Sequence, residues 1–348
     1  MVCVFWGGEG ILSITVVHTL PEEEWRCFVE EHPAGNIFHT PEMFRVFEQA
    51  KGHQPTLWAA FDDSNRPLAL LPSVQITLMD GLWRGFTTRA IAYGGVLWAP
   101  NSEGKEALAT LLQTYNREGK GSALFTELRN LSDLSVLQPV LNDSDFAYED
   151  HLNYLVDLDR PPEAVLQSIG PRTRKKIRRA LRQGEVMIEE VERPEQVALC
   201  YELLQKTYAA AQVYLADRSL FEAAFDVLHP RGMVKFLLAR IGDAYVAASV
   251  ELIYKDTIYG WYGGMDRDYS DYIPNELLLW YIFQWGAENG YKVYDFGGAG
   301  KPDEEYGVRD FKAKFGGELV CYGRNTCVHA PGLLRLSKLG YSLMRRWL

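Results

Sequence analysis

The sequence predicts an α+β protein of two tandem units, each a mixed, largely antiparallel twisted sheet flanked by helices. Three observations carry this reading. The chain has 348 residues, a length that accommodates about two domains. Apolar residues make up 47% and aromatic residues 13%, enough for two sizeable cores. One order of elements (strand, strand, strand, helix, strand) reads twice along the chain.

The elements follow in order. An apolar run around Ile11–His18 reads as a strand. Thr19, Pro21 and the acids Glu22, Glu23 and Glu24 then mark a helix start. A second helix spans Pro41 to Ala50. The first copy runs TLWAAF, LALLPSVQITL and RAIAYGGVLW, then the helix GKEALATLLQTYNREGKG and the strand SALFTEL. The second runs VKFLLARI, YVAASVELIY and IYGWYGGM, then PNELLLWYIFQWGAENG and KVYDFGG. Short turns rich in Asp and Gly make the three strands of each copy antiparallel hairpins. Gly119 and Gly290 stand where a helix-terminating glycine belongs. The helix at 275–289 is apolar nearly all round and is expected to be buried. The acidic, polar stretch NDSDFAYED places the boundary near 142–150, giving units of 1–150 and 151–330. A basic helix opens the second unit, followed by a strand at 186–192 and helices near 195–210 and 218–228. Residues 331–348 form a short, basic, partly amphipathic tail.

Several classes of protein are disfavoured. No run of about twenty apolar residues occurs, so no membrane-spanning helix is expected. MVCVFWGGEG lacks a basic region and a small-residue cleavage site, so a cytoplasmic location is expected. Cys3, Cys27, Cys200, Cys321 and Cys327 are odd in number and scattered, as thiols in a reducing compartment would be. The seven histidines show no ligand spacing, and no metal is expected. Net charge is −10, yet RTRKKIRRALR at 172–182 carries seven basic residues. An acidic protein with one basic helix meets an anion at a chosen place rather than over its whole surface.

On that helix Arg174, Arg178 and Arg182 line one face, and guanidinium forks suit phosphate oxygens. A solvated face and a contact with a nucleic-acid backbone are the other readings. In IYGWYGGM, alternation puts Ile258 and Tyr262 on one face and Tyr259 and Trp261 on the other. Its glycines leave room for a ligand against the backbone, which makes Tyr262 and Tyr259 candidate substrate contacts, unless both faces are core. Asp295 ends the last core strand. It could take a proton from an attacking ammonium, or simply cap the turn.

Four segments in order carry a resemblance. They are Thr173-Arg174-Lys175-Lys176-Ile177-Arg178-Arg179-Ala180, Tyr259 to Asp266, Tyr294-Asp295-Phe296-Gly297-Gly298, and Phe311-Lys312-x-x-Phe315-Gly316-Gly317. Together with the duplicated unit, which is the core of the GNAT acyltransferase fold, they make the chain similar to the FemAB-type peptidoglycan-bridge aminoacyltransferases. The resemblance covers most of the chain and is stronger after residue 150. It implies transfer of an aminoacyl group from charged tRNA onto an amine of a cell-wall precursor, with no further cofactor. It also places Phe311 and Lys312 in the active site. Attack on an ester builds an oxyanion that a fixed ammonium stabilises, and Lys312 can supply that charge while Phe311 shapes the site. The alternative is a lysine in a tight corner whose glycines only make the bend. By the same resemblance Arg174 contacts the diphosphate of a nucleotide- or lipid-linked acceptor, and Arg45 falls where a phosphate-binding lysine is found. The family commonly has Gly-Pro-Val and a nearby acid where this chain reads Tyr93-Gly94-Gly95-Val96-Leu97-Trp98. RDYSDYIPNELL lacks the glycine pattern that holds a CoA pyrophosphate, which leaves acyl-CoA as the alternative donor. A non-catalytic sugar-diphosphate module is the other alternative. The tail from Arg335 to Leu348 offers a peripheral contact with a membrane.

Overall fold

The computed structural model describes residues 13–79, 81, 84–119 and 122–344, the last seven by backbone alone. The first part of the chain runs β1 (Thr15–Val17), α1 (Glu22–Glu31), a 3-10 turn, α2 (Pro41–Gln49), β2 (His53–Phe61), β3 (Pro67–Thr77), α3 (Arg84–Thr87), β4 (Thr88–Gly94), β5 (Leu97–Trp98), α4 (Ser102–Glu118), β6 (Phe125–Asn130), α5 (Gln138–Asp143) and β7 (Ala147–Glu149). The second runs β8 (Leu152–Asp157), α6 (Pro162–Ser168), α7 (Pro171–Gln183), β9 (Val186–Glu190), α8 (Pro194–Ala210), α9 (Arg218–Leu228), β10 (Val234–Ile241), β11 (Ala244–Tyr254), β12 (Thr257–Met265), α10 (Pro274–Glu288), β13 (Val293–Asp295), α11 (Gly307–Ala313), β14 (Glu318–Cys321), β15 (Arg324–Val328) and α12 (Pro331–Met344).

Local chemistry explains the helix starts. The Thr40 hydroxyl accepts from the Met43 amide at 3.2 Å and Pro41 opens α2, while Asn101 accepts from Gly104 at 2.8 Å to open α4. Gly290 has φ +80° just beyond α10 and terminates it in the left-handed conformation. Gly119 does not act so: it keeps φ −79°, a right-handed cap.

Two mixed sheets result. The first has order β1-β2-β3-β4-β6-β15-β7, with β5 on β3, and the second β14-β8-β13-β12-β11-β10-β9. In each, the three-stranded meander is antiparallel and the strand after the helix returns parallel to its third strand, β6 to β4 and β13 to β12. The apolar helix α10 is buried on the second sheet through Leu277, Leu278, Trp280, Ile282 and Phe283. Sheet membership changes between β7 and β8. β15, at 324–328 and so within the stretch expected to form the second unit, is a strand of the first sheet, between β6 and β7.

The halves share one apolar cluster, in which Phe38, Met43 and Phe47 meet Phe221, Phe225 and Leu252. Lys255 of the β11–β12 turn also donates to the carbonyls of Val29 (3.0 Å) and His32 (2.8 Å), capping the end of α1 across the junction. These ties join the two halves across the cleft between the sheets. No helix among the described residues is long and apolar enough to cross a membrane. The Ser337 hydroxyl holds α12 to the Phe86 carbonyl at 2.7 Å. Cys3, the start of the Ile11–His18 strand and residues 345–348 of the tail lie outside the described residues.

Candidate active site

β13 is three residues long because glycines break the strand immediately after Asp295. Gly297 and Gly298 have φ +76° and +124°, conformations that side-chain-bearing residues avoid. The loop still follows β8, through Phe296 N to Tyr154 O (3.1 Å), Ala299 N to Leu152 O (2.6 Å) and Leu152 N to Gly300 O (2.9 Å).

Two cations on α11, one turn apart, take up the loop's remaining carbonyls. Lys312 Nζ donates to Phe296 O at 2.6 Å and to Gly298 O. Arg309 donates to Ala299 O at 2.8 Å, to Glu304 O at 2.9 Å and to Lys301 O. Burial pushes Lys312 down to about 8, partly offset by the charge of Asp295. An ammonium has three donors, so one remains after the two carbonyls.

Asp295 is 5% exposed and has two functions at once. Its Oδ1 accepts from the Gly297 amide at 2.7 Å, which caps the turn, and from Asn153 Nδ2 at 2.7 Å. Its Oδ2 makes no hydrogen bond among the described residues. Burial raises its carboxyl above the usual range, against the opposing pull of Asn153, the Gly297 amide and Lys312. Asp295 lines a cavity of about 240 Å³ with Tyr259, Leu155, Lys255 and the 33–37 loop of the first half.

Tyr259 stands beside this pair. Its ring meets Phe38 edge-on at 5.1 Å, and a Cβ at Gly297 would come within 2.7 Å of its hydroxyl. Tyr262 shares that face, which corrects the expected alternation. The register between β11 and β12 slips at Val250/Glu251, leaving Trp261 as an extra bulge residue. A bulge resets the pleat, so Tyr262 joins Tyr259 on the cleft side while Ile258 packs under α10. Tyr262 packs against Phe221 (4.8 Å) and Tyr208 (5.8 Å), an aromatic wall of the cleft.

Other expected site residues are spoken for. Arg174 donates to the carbonyls of Gln167 and Ile169, closing the end of α6. Arg178 pairs with Glu163 of α6 at 2.5 Å. Arg45 joins a network with Glu22 (3.2 Å) and the buried Glu42 (3.4 Å), which Arg26 completes. Phe311 packs on Phe315 at 5.3 Å, with the Lys314 ammonium 5.7 Å over its ring. The Phe315-Gly316-Gly317 stretch is a structural corner: Phe315 is fully buried, and a Cβ at Gly316 would sit 1.9 Å from Ser168 O.

Sequence reasoning missed a polar group on the first sheet. Arg129 donates to Glu127 at 2.6 Å, Arg324 to Glu127 at 3.1 Å, and Arg324 contacts His151 Nε2 at 2.9 Å. A Cβ at Gly298 would stand 3.4 Å from that same imidazole nitrogen, so the cluster adjoins the Lys312 loop. These residues are scattered over β6, β15 and the link between β7 and β8, and only the alternation of Glu127 and Arg129 on β6 hinted at a shared face. Among the described residues no group of three or more His, Cys, Asp or Glu could hold a metal.

The fold is that of the GNAT acyltransferases, and residues 171–312 match the family model described as acetyltransferase (GNAT) domain. A lipid II:glycine glycyltransferase of Staphylococcus saprophyticus is 22% identical over 83% of this chain and 87% of its own length. One of Staphylococcus haemolyticus is 30% identical, but that match spans 24% of this chain and only 21% of the relative. The crystal structure of FemX superposes with a TM-score of 0.70 at 17% identity, covering 92% of this chain and 99% of that one. The chain is similar to these FemAB-like tandem GNAT proteins along most of its length.

Proposed function

We propose that the protein transfers an aminoacyl group onto an amine of a cell-wall precursor, a lipid- or nucleotide-linked sugar-peptide, with aminoacyl-tRNA as donor. The observation that carries this reading is that Asp295, at the end of β13, and Lys312, on α11, flank one glycine loop beside the cavity that Asp295 lines. The acceptor class follows the names of the glycyltransferase relatives.

The chemistry is direct. The acceptor amine attacks the ester carbonyl of the donor, and an N–C bond forms as negative charge collects on the carbonyl oxygen. The remaining Lys312 N–H meets that oxyanion; such a donor contributes about 3–4 kcal/mol to the transition state. Asp295 accepts the proton that the amine must lose, for which its raised carboxyl pKa is suited. The ester C–O bond then breaks and the proton passes to the departing ribose oxygen. Tyr259 and Tyr262 supply the apolar wall that excludes water. The β12–α10 turn, Asp266 to Ile273, holds no glycine and closes as a 3-10 helix, which supports an ester donor over acyl-CoA.

The test is a transfer assay with glycyl-tRNA and a lipid-linked sugar-peptide, with acetyl-CoA as the competing donor. Transfer from tRNA abolished by Lys312→Met supports the reading. Transfer from acetyl-CoA alone overturns the donor, and full activity in Lys312→Met overturns the mechanism.

A further inference from the structure

We propose that Arg129 and Arg324 form a binding site for an oxyanion of the acceptor, a phosphate or a carboxylate, at the inner end of the cleft. The inference rests on reading the cleft as the acceptor's, but its chemistry is independent of the donor.

The site is built by register. Tyr93, Arg129 and Arg324 are direct partners across β4, β6 and β15, so their side chains stand in a row on one face of the first sheet. The Arg129 guanidinium lies 5.2 Å from the Tyr93 ring centre. A guanidinium over an aromatic ring at that distance is restrained by the cation–π attraction.

The charges in the row do not balance. Arg129 and Arg324 share a single carboxylate, Glu127, through the same oxygen. Glu149, next in the row, is taken by Lys301, while Asp295 and Lys312 offset each other. His151 is pushed down to about 4 by burial and by Arg324, so it meets Arg324 as a neutral acceptor. One guanidinium charge is therefore left over in a half-buried cluster. Purely structural ion pairs at such depth are matched, because an uncompensated charge away from water is costly.

Arg129 also keeps surplus donors. Arg129 Nη1 and Nη2 make no hydrogen bond among the described residues, yet 31% of the side chain remains accessible. Two parallel N–H groups on a fixed plane suit two oxygens of one phosphate or carboxylate. The position is tied to the chemistry through Arg324, His151 and Gly298, whose carbonyl Lys312 holds. An anion docked here would register the acceptor against the reacting loop, and binding would order Arg324 and His151 behind that loop.

Calorimetric titration of the full chain at low ionic strength tests the proposal with two probes, inorganic pyrophosphate and the dipeptide alanyl-alanine. We expect saturable binding of one of them, and its identity distinguishes a phosphate source from a carboxylate source. Arg129→Gln should weaken that binding at least tenfold. Arg129→Lys keeps a charge for Glu127, so it gives a folded protein even where the glutamine variant does not. It should still weaken binding severalfold by losing the fork. Arg117→Gln, an exposed change on α4, should bind as the wild type does. Binding of neither probe by the wild type, or unchanged binding by folded Arg129→Lys, overturns the site. The titration needs no donor and no turnover, so arginine-dependent binding without transfer would sink the proposed function and leave this site standing. Transfer by Arg129→Lys with an unchanged acceptor KM would do the reverse.

Discussion

Replacing Lys312 with Met separates a catalytic lysine from a structural one. Met keeps an unbranched apolar stem and removes the ammonium. The carbonyls of Phe296 and Gly298 then lose their charged donor. Such bonds contribute about 1.5–3 kcal/mol each. Against that loss stands the cost of keeping the ammonium in this place. Burial lowers Lys312 from 10.5 to about 8, so the folded site disfavours the charged form by roughly 3 kcal/mol at neutral pH. The two effects partly cancel, and the variant should unfold within about 3 kcal/mol of wild type at pH 7. Activity has no such offset: loss of one oxyanion donor should lower kcat about 10²–10³-fold. The pH dependence adds a signature. Between about 8 and 10.5 the unfolded chain holds the Lys312 proton and the folded chain does not, so wild type should gain stability relative to Lys312→Met as pH rises through that window. Wild-type activity should fall over its alkaline limb near pH 8, where the ammonium is lost. Urea unfolding and a single-turnover transfer assay on the same preparations read both quantities. A kcat within threefold of wild type, with the fold intact, would refute the reasoning.

Three further outcomes follow from the same geometry. Asp295→Asn can keep the Gly297 amide bond through its carbonyl oxygen but cannot accept the amine's proton, so kcat should fall about 10²–10⁴-fold and the acidic limb of the pH profile should disappear. Glu251 is wholly buried under the Tyr294 hydroxyl (3.0 Å), and burial raises it from 4.5 to about 7. Its contribution is therefore most favourable below pH 4.5 and lost as pH rises through 7. Glu251→Gln should gain on wild type between pH 5 and 8 by up to about 3 kcal/mol in urea unfolding, and an unchanged difference across that range would refute the assignment. Gly316→Ala places a methyl 1.9 Å from Ser168 O at φ +73°, and should cost about 2–4 kcal/mol of stability in the same assay.

The fold was legible because its signals are local. Two copies of a meander with short turns, followed by a buried helix and a strand, are periodic patterns that a chain displays without its partners. The site residues were less legible for identifiable reasons. Strict alternation misplaced Tyr262 because the bulge at Trp261 depends on how β11 registers with β12, a property of the pair rather than of either strand. The basic helix announced an anion site, yet Arg174 and Arg178 turn toward α6, whose closing carbonyls and Glu163 are invisible from the run RTRKKIRRALR. Arg45 was read by position alone, and its carboxylate partners lie on two helices. Asp295 and Lys312 drew notice because they lie close in sequence on either side of one glycine-broken loop, and the structural task posed for each is present. Asp295 caps the turn and faces the cavity; Lys312 secures the corner and keeps a donor in reserve.

The return of β15 to the first sheet connects these observations. A duplicated fold could have closed each copy on itself, leaving a hinge between them. Here the chain leaves the Lys312 helix, adds β14 to the edge of the second sheet, and within two residues enters the first sheet between β6 and β7. Asn130 secures that crossing by donating to Tyr322 O at 3.1 Å and Asn325 Oδ1 at 3.0 Å. Opening the cleft as two rigid halves would have to strain this segment or break the bonds of Asn130. It would also move Arg324 away from His151, whose backbone carbonyl accepts the Gly323 amide at 3.3 Å. The same covalent step that restrains the halves therefore sets the spacing between the Arg129–Arg324 pair and the Lys312 loop, the spacing on which recognition of the acceptor and reaction at its amine would jointly depend.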